Sequence, residues 1–251
     1  MKEFLPQPSL QPQAQPPPVC LGWPLLLAGT LVRRYKRFIA DVELEDGTQV
    51  RAHCPNPGRM TGCADPGRPV YLSVHDQPHR KLKYTWEMIE MPSSLVGVNA
   101  LVPNRLAARA IEAGAIGPLA GYRDLATERP MGRSSRVDLE LSSPGRRTCL
   151  VEVKSCTLVD GATALFPDAV TARGLRHARE LAAALDEGCR AVILFIIQRM
   201  DAMRFSPADT IDPAWGEGLR RAAEAGVEVL AWDTVLTRER ICLGRRLPVV
   251  L

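Results

Sequence analysis

The chain has 251 residues, of which 46% are hydrophobic and 24% charged, and its formal net charge is +4 with a pI near 8.8. That composition excludes a low-complexity or collagen-like chain and predicts a folded globular protein of one large or two small domains. The mild basic excess permits an anionic partner without requiring one.

Residues 1–22 contain "PQPSLQPQAQPPP", a Pro/Gln stretch that cannot build a core and predicts a disordered extension. The apolar run "VCLGWPLLLAGTLV" that follows is short and interrupted by Gly and Pro24. It is too short to span a membrane and lacks the flanks of a secretory signal, so no membrane association is expected. Residues 23–98 read as a series of short strands: "YKRFIADVEL", a turn at "EDGTQV", "VYLSV" and "KYTWEMIEM". Several short strands in so few residues predict a small barrel.

Residues 99–251 change character. "PNRLAARAIEAGAI" has helical spacing, with Asn104 as the expected N-cap. "RVDLELS", the turn "SPGRR" and "TCLVEVKSCTL" predict a hairpin. "TARGLRHARELAAALDEG" predicts an amphipathic helix, and "RAVILFIIQR" is apolar on both faces, as in a central parallel strand. A helix near 214–225 and the strand "VEVLAWD" complete an α/β domain with a mixed sheet.

The chemistry concentrates in the hairpin. In "LVEVKSCTL", Leu150, Glu152 and Lys154 share one face and Val151 and Val153 the other. Charges in such a strand need a partner or a use. A hairpin centred on Gly145 sets Asp138 opposite Glu152 and Arg136 opposite Lys154. Opposed carboxylates repel unless something holds them, and a divalent cation does so. Mg²⁺ or Mn²⁺ is therefore expected, on Asp138 and Glu152 with the Val153 carbonyl as a third ligand. Lys154, one of only five lysines in an arginine-rich chain, is expected beside the metal to orient water or neutralise a phosphate. The competing reading is a solvated sheet face with cross-strand ion pairs.

Other candidates are expected to bind nucleic acid. "RRYKRF" interleaves Arg34, Lys36 and Arg37 with aromatics. "HCPNPGRM" is a polar turn offering His53 and Arg59. Arg173, His177 and Glu180 share one helical face. Asp168 is expected to cap that helix, and Glu112 is a weaker candidate for a further acid. The seven cysteines are dispersed, show no CxxC pair, and predict neither a zinc site nor a disulfide framework. A reducing, cytoplasmic setting follows as the expectation.

The Asp138, Glu152, Val153, Lys154 spacing resembles the PD-(D/E)xK nuclease core, with Val137 where the motif's proline stands. The segments "RYKRFIADV", "HCPNPGRMTGC", "YTWEM", "SRVDLEL", "VEVKSCTL" and "FPDAVTARGLRHARELAA" resemble the sugar fermentation stimulation protein A family. That resemblance implies an N-terminal OB-like barrel and a C-terminal mixed-sheet, nuclease-like α/β domain that binds DNA, or alternatively RNA. It also implies Asp138 and Glu152 as metal carboxylates and Lys154 as the motif lysine. Two functions remain open: a metal-dependent nuclease, and a DNA-binding regulator that does not cut.

Overall fold

The computed structural model describes residues 18–131 and 135–251. The extension expected at residues 1–17 lies outside the described residues. Two β-rich bodies follow one another along the chain.

The first is a barrel. Its strands are β2 (Leu26–Tyr35), β3 (Ile39–Leu44), β4 (Gln49–His53), β5 (Pro69–Val74) and β6 (Tyr84–Glu90), with β7 (Leu95–Gly97) added at the edge. The order is β4-β3-β2-β5-β6-β7, and a further pairing of β4 with β6 closes the sheet on itself. Alternation drives Leu31, Ala40, Val42, Ala52, Leu72, Trp86 and Ile89 into one buried cluster. The stretch "YKRFIADVEL" is not one strand. It is a tight hairpin in which Lys36 and Arg37 carry positive φ values of 49° and 62°. Two successive left-handed residues match the right-handed twist of the flanking strands, the geometry of a type I′ turn. The turn places both cations at the tip of the hairpin.

The second body is a seven-stranded mixed sheet ordered β1-β16-β15-β13-β10-β9-β8. Its strands are β1 (Cys20–Gly22), β8 (Asp124–Met131), β9 (Ser135–Ser142), β10 (Cys149–Cys156), β13 (Arg190–Ile197), β15 (Glu228–Leu236) and β16 (Arg240–Arg246). A small side sheet holds β11 (Leu158–Asp160), β12 (Thr163–Phe166) and β14 (Arg204–Pro207). Helix α1 (Val102–Glu112) buries Leu106, Ala110 and Ile111 with Val151, Val192 and Leu194 on one side of the main sheet. Helices α2 (Ala172–Asp186) and α3 (Pro213–Glu224) cover the other side, where Leu181, Trp215 and Leu219 meet Ile193, Phe195 and Phe205. The strand β13 is buried on both faces, as its unbroken apolar run requires.

Three sequence expectations are corrected here. Residues 20–22 belong to neither an extension nor the barrel: they form β1, an edge strand of the second sheet paired with β16. That pairing sets Cys20 opposite Cys242 and joins them in a disulfide, where dispersed cysteines predicted none. Asn104 does not cap α1. The helix starts earlier, at Val102, because Pro103 presets the first turn.

The two bodies are hydrogen-bonded together. Met60 N donates to Asp168 Oδ2 at 2.8 Å, Gly97 N to the Gln198 carbonyl at 2.9 Å, and Ser93 Oγ to Asp201 Oδ2 at 2.6 Å. Asp168 is therefore not the cap of α2, a role taken by Thr171, whose Oγ1 accepts from Gly174 N at 3.0 Å. Asp168 ties the loop after β4 to the second body.

Candidate metal and phosphodiester site

The hairpin of β9 and β10 has the register expected from its turn: Cys149 pairs with Leu141, Leu150 with Glu140, and Val151 with Leu139. The ladder stops there. The next two expected pairs, Asp138 with Glu152 and Arg136 with Lys154, are not among those that form. Instead the Asp138 carboxylate takes the place of a strand carbonyl. Its Oδ2 accepts from Val153 N at 2.7 Å, and its Oδ1 accepts from Asn104 Nδ2 at 2.8 Å. Asn104 had no signal as a site residue in the sequence. Only the packing of α1 against the hairpin brings it there.

Glu152 is 3% exposed. Its Oε1 accepts from Lys154 Nζ at 2.6 Å and from His177 Nδ1 at 2.5 Å. Its Oε2 is buried and has no hydrogen-bond partner among the described residues. A buried, unpaired carboxylate oxygen is costly and calls for an explanation, and an ion is one that fits. Asp138, Glu152, Val153 and Lys154 all line one cleft. The donor set is all oxygen and sparse, since no cluster of three or more His, Cys, Asp or Glu with ligand geometry forms among the described residues. Mg²⁺ is commonly held by one or two carboxylates with water and phosphate completing the shell, so these residues fit such a cation.

The electrostatics separate the two acids. Burial, then the neighbouring Glu152 charge, pushes Asp138 up from the usual aspartate value to about 6, against the Val153 amide, Lys154 and Asn104. Burial alone would raise Glu152 too, but the His177 hydrogen bond and the Lys154 ammonium hold it below the usual carboxylate range. Around neutral pH both are ionised, and Asp138 is the acid that releases its proton last.

The cleft lies between the two bodies and encloses about 680 Å³. The barrel contributes Arg37, Phe38 and His53, the hairpin its acids and Lys154, and α2 contributes Arg173. Phe38, Leu101 and Val170 are apolar residues at this cleft with 45%, 67% and 77% of their surface exposed. Burial and then Arg80 lower the His53 pKa, so it enters the cleft as a hydrogen-bonding rather than a cationic group at neutral pH.

Two of the expected nucleic-acid contacts are placed otherwise. The Arg34 guanidinium donates to the carbonyls of Asn56 (2.9 Å), Gly58 (2.8 Å) and Arg59 (3.1 Å), so it folds the 53–60 loop. Hydrogen bonds involving charged groups contribute about 1.5–3 kcal/mol each, and they are not additive on one side chain. Arg34→Ala is therefore expected to lower stability by roughly 2–4 kcal/mol, read as a reduced midpoint in urea. His177 is 3% exposed and holds Glu152 rather than a phosphate. Arg173, on the same helical face, donates Nε to His177 Nε2 at 3.4 Å and is otherwise exposed. Lys36, Arg37 and Arg59 are exposed. Glu112 is exposed at the end of α1, two helical turns or about 12 Å along the axis from Asn104. It is not part of the acid pair. Neither is Glu180, two turns C-terminal to Arg173 on α2.

An OB-type barrel joined to a mixed α/β sheet of the PD-(D/E)xK kind, with the motif's acids and lysine at the junction, defines the class. Comparison with known proteins agrees. Residues 32–98 match the SfsA N-terminal OB domain and residues 101–240 the sugar fermentation stimulation protein RE domain. The chain belongs to the sugar fermentation stimulation protein (SfsA) family. It is 52% identical over 225 residues to the sugar fermentation stimulation protein homolog of Geobacter sulfurreducens, covering 90% of this chain and 96% of that one. It is 53% identical over 228 residues to the homolog of Pelobacter propionicus, covering 91% and 99%. Among solved structures it resembles Pyrococcus furiosus SfsA in complex with Ca²⁺, with a TM-score of 0.85, 29% identity, and 92% and 98% of the two chains covered. No helix among the described residues is long and apolar enough to cross a membrane.

Proposed function

We propose that this protein is a divalent-metal-dependent nuclease that binds DNA in the cleft between barrel and sheet and hydrolyses its phosphodiester backbone. The observation that carries the reading is the division of labour on Glu152: one oxygen is fixed by Lys154 and His177, and the other is buried and unpartnered. An oxygen in that state, beside a second buried acid, is available to a cation. That the related Pyrococcus furiosus protein has a structure in complex with Ca²⁺ supports a cation site of this type.

Asp138 and Glu152 would hold Mg²⁺ or Mn²⁺, with the Val153 carbonyl on the same edge of β10 as its Asp138-bound amide. When bound, the ion supplies Lewis-acid stabilisation of the phosphoryl oxygens and a more acidic water. His177 keeps Glu152 in one orientation. Asn104 and the Val153 amide keep Asp138 in another. Lys154 stands beside the acids, where its ammonium can orient the attacking water and offset charge growing on the phosphate. Lys36, Arg37 and Arg173 supply sequence-independent attraction to the backbone, and Phe38 offers a ring for base stacking.

The deciding experiment incubates the protein with labelled DNA and RNA in Mg²⁺, Mn²⁺ or EDTA. Cleavage that needs metal and is lost in Glu152→Gln supports the reading. Binding without cleavage under every condition favours the regulator that does not cut. For the binding surface, Lys36→Gln with Arg37→Gln is expected to flatten the plot of log affinity against log salt by up to about 0.7–0.9 per lost phosphate contact. An unchanged slope would move the surface away from the barrel tip.

A further inference from the structure

A second cavity, of about 610 Å³, also borders Asp138. It is walled by Arg105 and Arg109 of α1, by Thr127 and Glu128 of β8, and by Leu21 and Gly22 of β1. It shares Asn104 and Asp138 with the inter-domain cleft. The two hollows therefore share a wall at the candidate metal site.

The lining of this second arm is unusual for a merely solvated face. Arg105 and Arg109 are four residues apart on one helix, about 6 Å along its axis. Like charges at that spacing repel. Surface arginines in such a pair ordinarily find a carboxylate, yet neither has a hydrogen-bond or ion-pair partner among the described residues, and both are exposed. An acid of the opposite wall, Glu128, falls in line with Asp138 across β8 and β9, between the Thr127–Leu139 and Arg129–Val137 pairs. Its φ of 54° is a left-handed conformation that a glutamate seldom adopts. The arm thus presents two free guanidinium groups beside two carboxylates, Glu128 and Asp138, the second of which a bound cation would offset. Planar guanidinium forks match phosphate oxygens.

We propose that this arm binds the backbone phosphates of the nucleic-acid strand on the far side of the scissile bond, so that the strand crosses the site and is cut internally. The proposal rests on the reading of Asp138, Glu152 and Lys154 as a phosphodiester-cleaving site. A site reached by a groove from both sides needs no strand end, whereas a site at the bottom of a blind pocket does.

The test uses the full-length protein and the double variant Arg105→Gln/Arg109→Gln, which removes both charges while keeping good helix formers on an exposed face. Binding of a fluorescent single-stranded DNA is measured in EDTA over a range of salt. The plot of log affinity against log salt is expected to lose about 1.4 units of slope, roughly 0.7 for each lost single-strand phosphate contact. Ca²⁺ binding by the variant, followed by calorimetry, is expected to equal that of the wild type. In Mn²⁺ the wild type is expected to open covalently closed circular single-stranded DNA, and the variant to do so at least tenfold more slowly. An unchanged salt slope overturns the arm as a phosphate site. Cleavage of linear DNA with the circle left intact overturns passage of the strand through both arms. A reduced slope with no cleavage of either substrate by the wild type upholds the arm as a binding track and overturns the nuclease reading alone.

Discussion

Lys154→Met is expected to lower metal-dependent cleavage by at least about 10²–10³-fold, the effect of deleting one preorganised charge stabiliser at a reacting centre, while divalent-metal affinity holds or rises. The reason lies in what Lys154 touches. Its ammonium sits 2.6 Å from Glu152 Oε1, the oxygen that His177 also engages. It is not a ligand, and its positive charge opposes a cation placed on the same carboxylate. Removing it leaves Glu152 still oriented by His177 and with more negative charge to offer. Glu152→Gln behaves oppositely: cleavage and metal binding fall together, because the buried Oε2 loses its charge. Calorimetry with Ca²⁺, paired with single-turnover cleavage in Mg²⁺, separates the two variants. Equal loss of metal affinity in Lys154→Met would show that the lysine serves the pocket's shape, and undiminished cleavage would remove it from the chemistry.

Asp138→Asn is expected to make the metal-free protein more stable at pH 7.5, by about 1–3 kcal/mol. The carboxyl's pKa is raised to about 6 in the fold from an ordinary value of 3.8. A carboxyl whose folded pKa is raised favours the native state when protonated. That contribution is fully present below about pH 4 and is lost as pH climbs through 6. At pH 7.5 the native protein carries the whole cost of an ionised, buried Asp138. Asparagine removes the charge and can still accept from Val153 N, while the Asn104 amide can turn to present its oxygen. The gain should vanish in urea titrations near pH 4. Saturating Mg²⁺ should reverse the ranking, because only the aspartate offers the ion a charged ligand. The affinity for that ion should itself climb between pH 5 and 7 as the proton leaves. A less stable Asp138→Asn protein at pH 7.5 in EDTA would make the acid a part of the fold rather than of a metal site.

Much of this arrangement could be read from local pattern. The 3.6-residue spacing of α2, the doubly apolar β13 and the turn at Gly145 each report on a neighbourhood of a few residues, and the register of the β9–β10 hairpin follows from its turn. What escaped is non-local. Arg34 reads as a solvated cation in a basic run, and only the folding of the 53–60 loop beneath it supplies three carbonyls. Asn104 is an ordinary helix-start residue until α1 is laid against β9. Asp168 looks like a cap because it precedes a helix, but its partner is 108 residues away at Met60. His177 was legible as a polar residue on the right helical face. Its burial against Glu152 was not, because the sequence does not say how closely α2 approaches β10. The departure of β9 from β10 beyond Leu139 also defied a register argument, which assumes that a ladder once begun continues.

The link between Cys20 and Cys242 spans 222 residues of sequence and joins the two outermost strands of one sheet edge. It turns the barrel, the hairpin and almost the whole second body into one closed covalent ring. In a chain-entropy picture, such a large ring removes about 5 kcal/mol of freedom from the unfolded chain. The ring also changes what a backbone cut means. A protease nick in any loop between those cysteines leaves two pieces that remain tethered as neighbouring strands, able to find each other again without diffusion. A thiol reductant abolishes that memory, so the same nick is survivable in an oxidising compartment and dissociating in a reducing one.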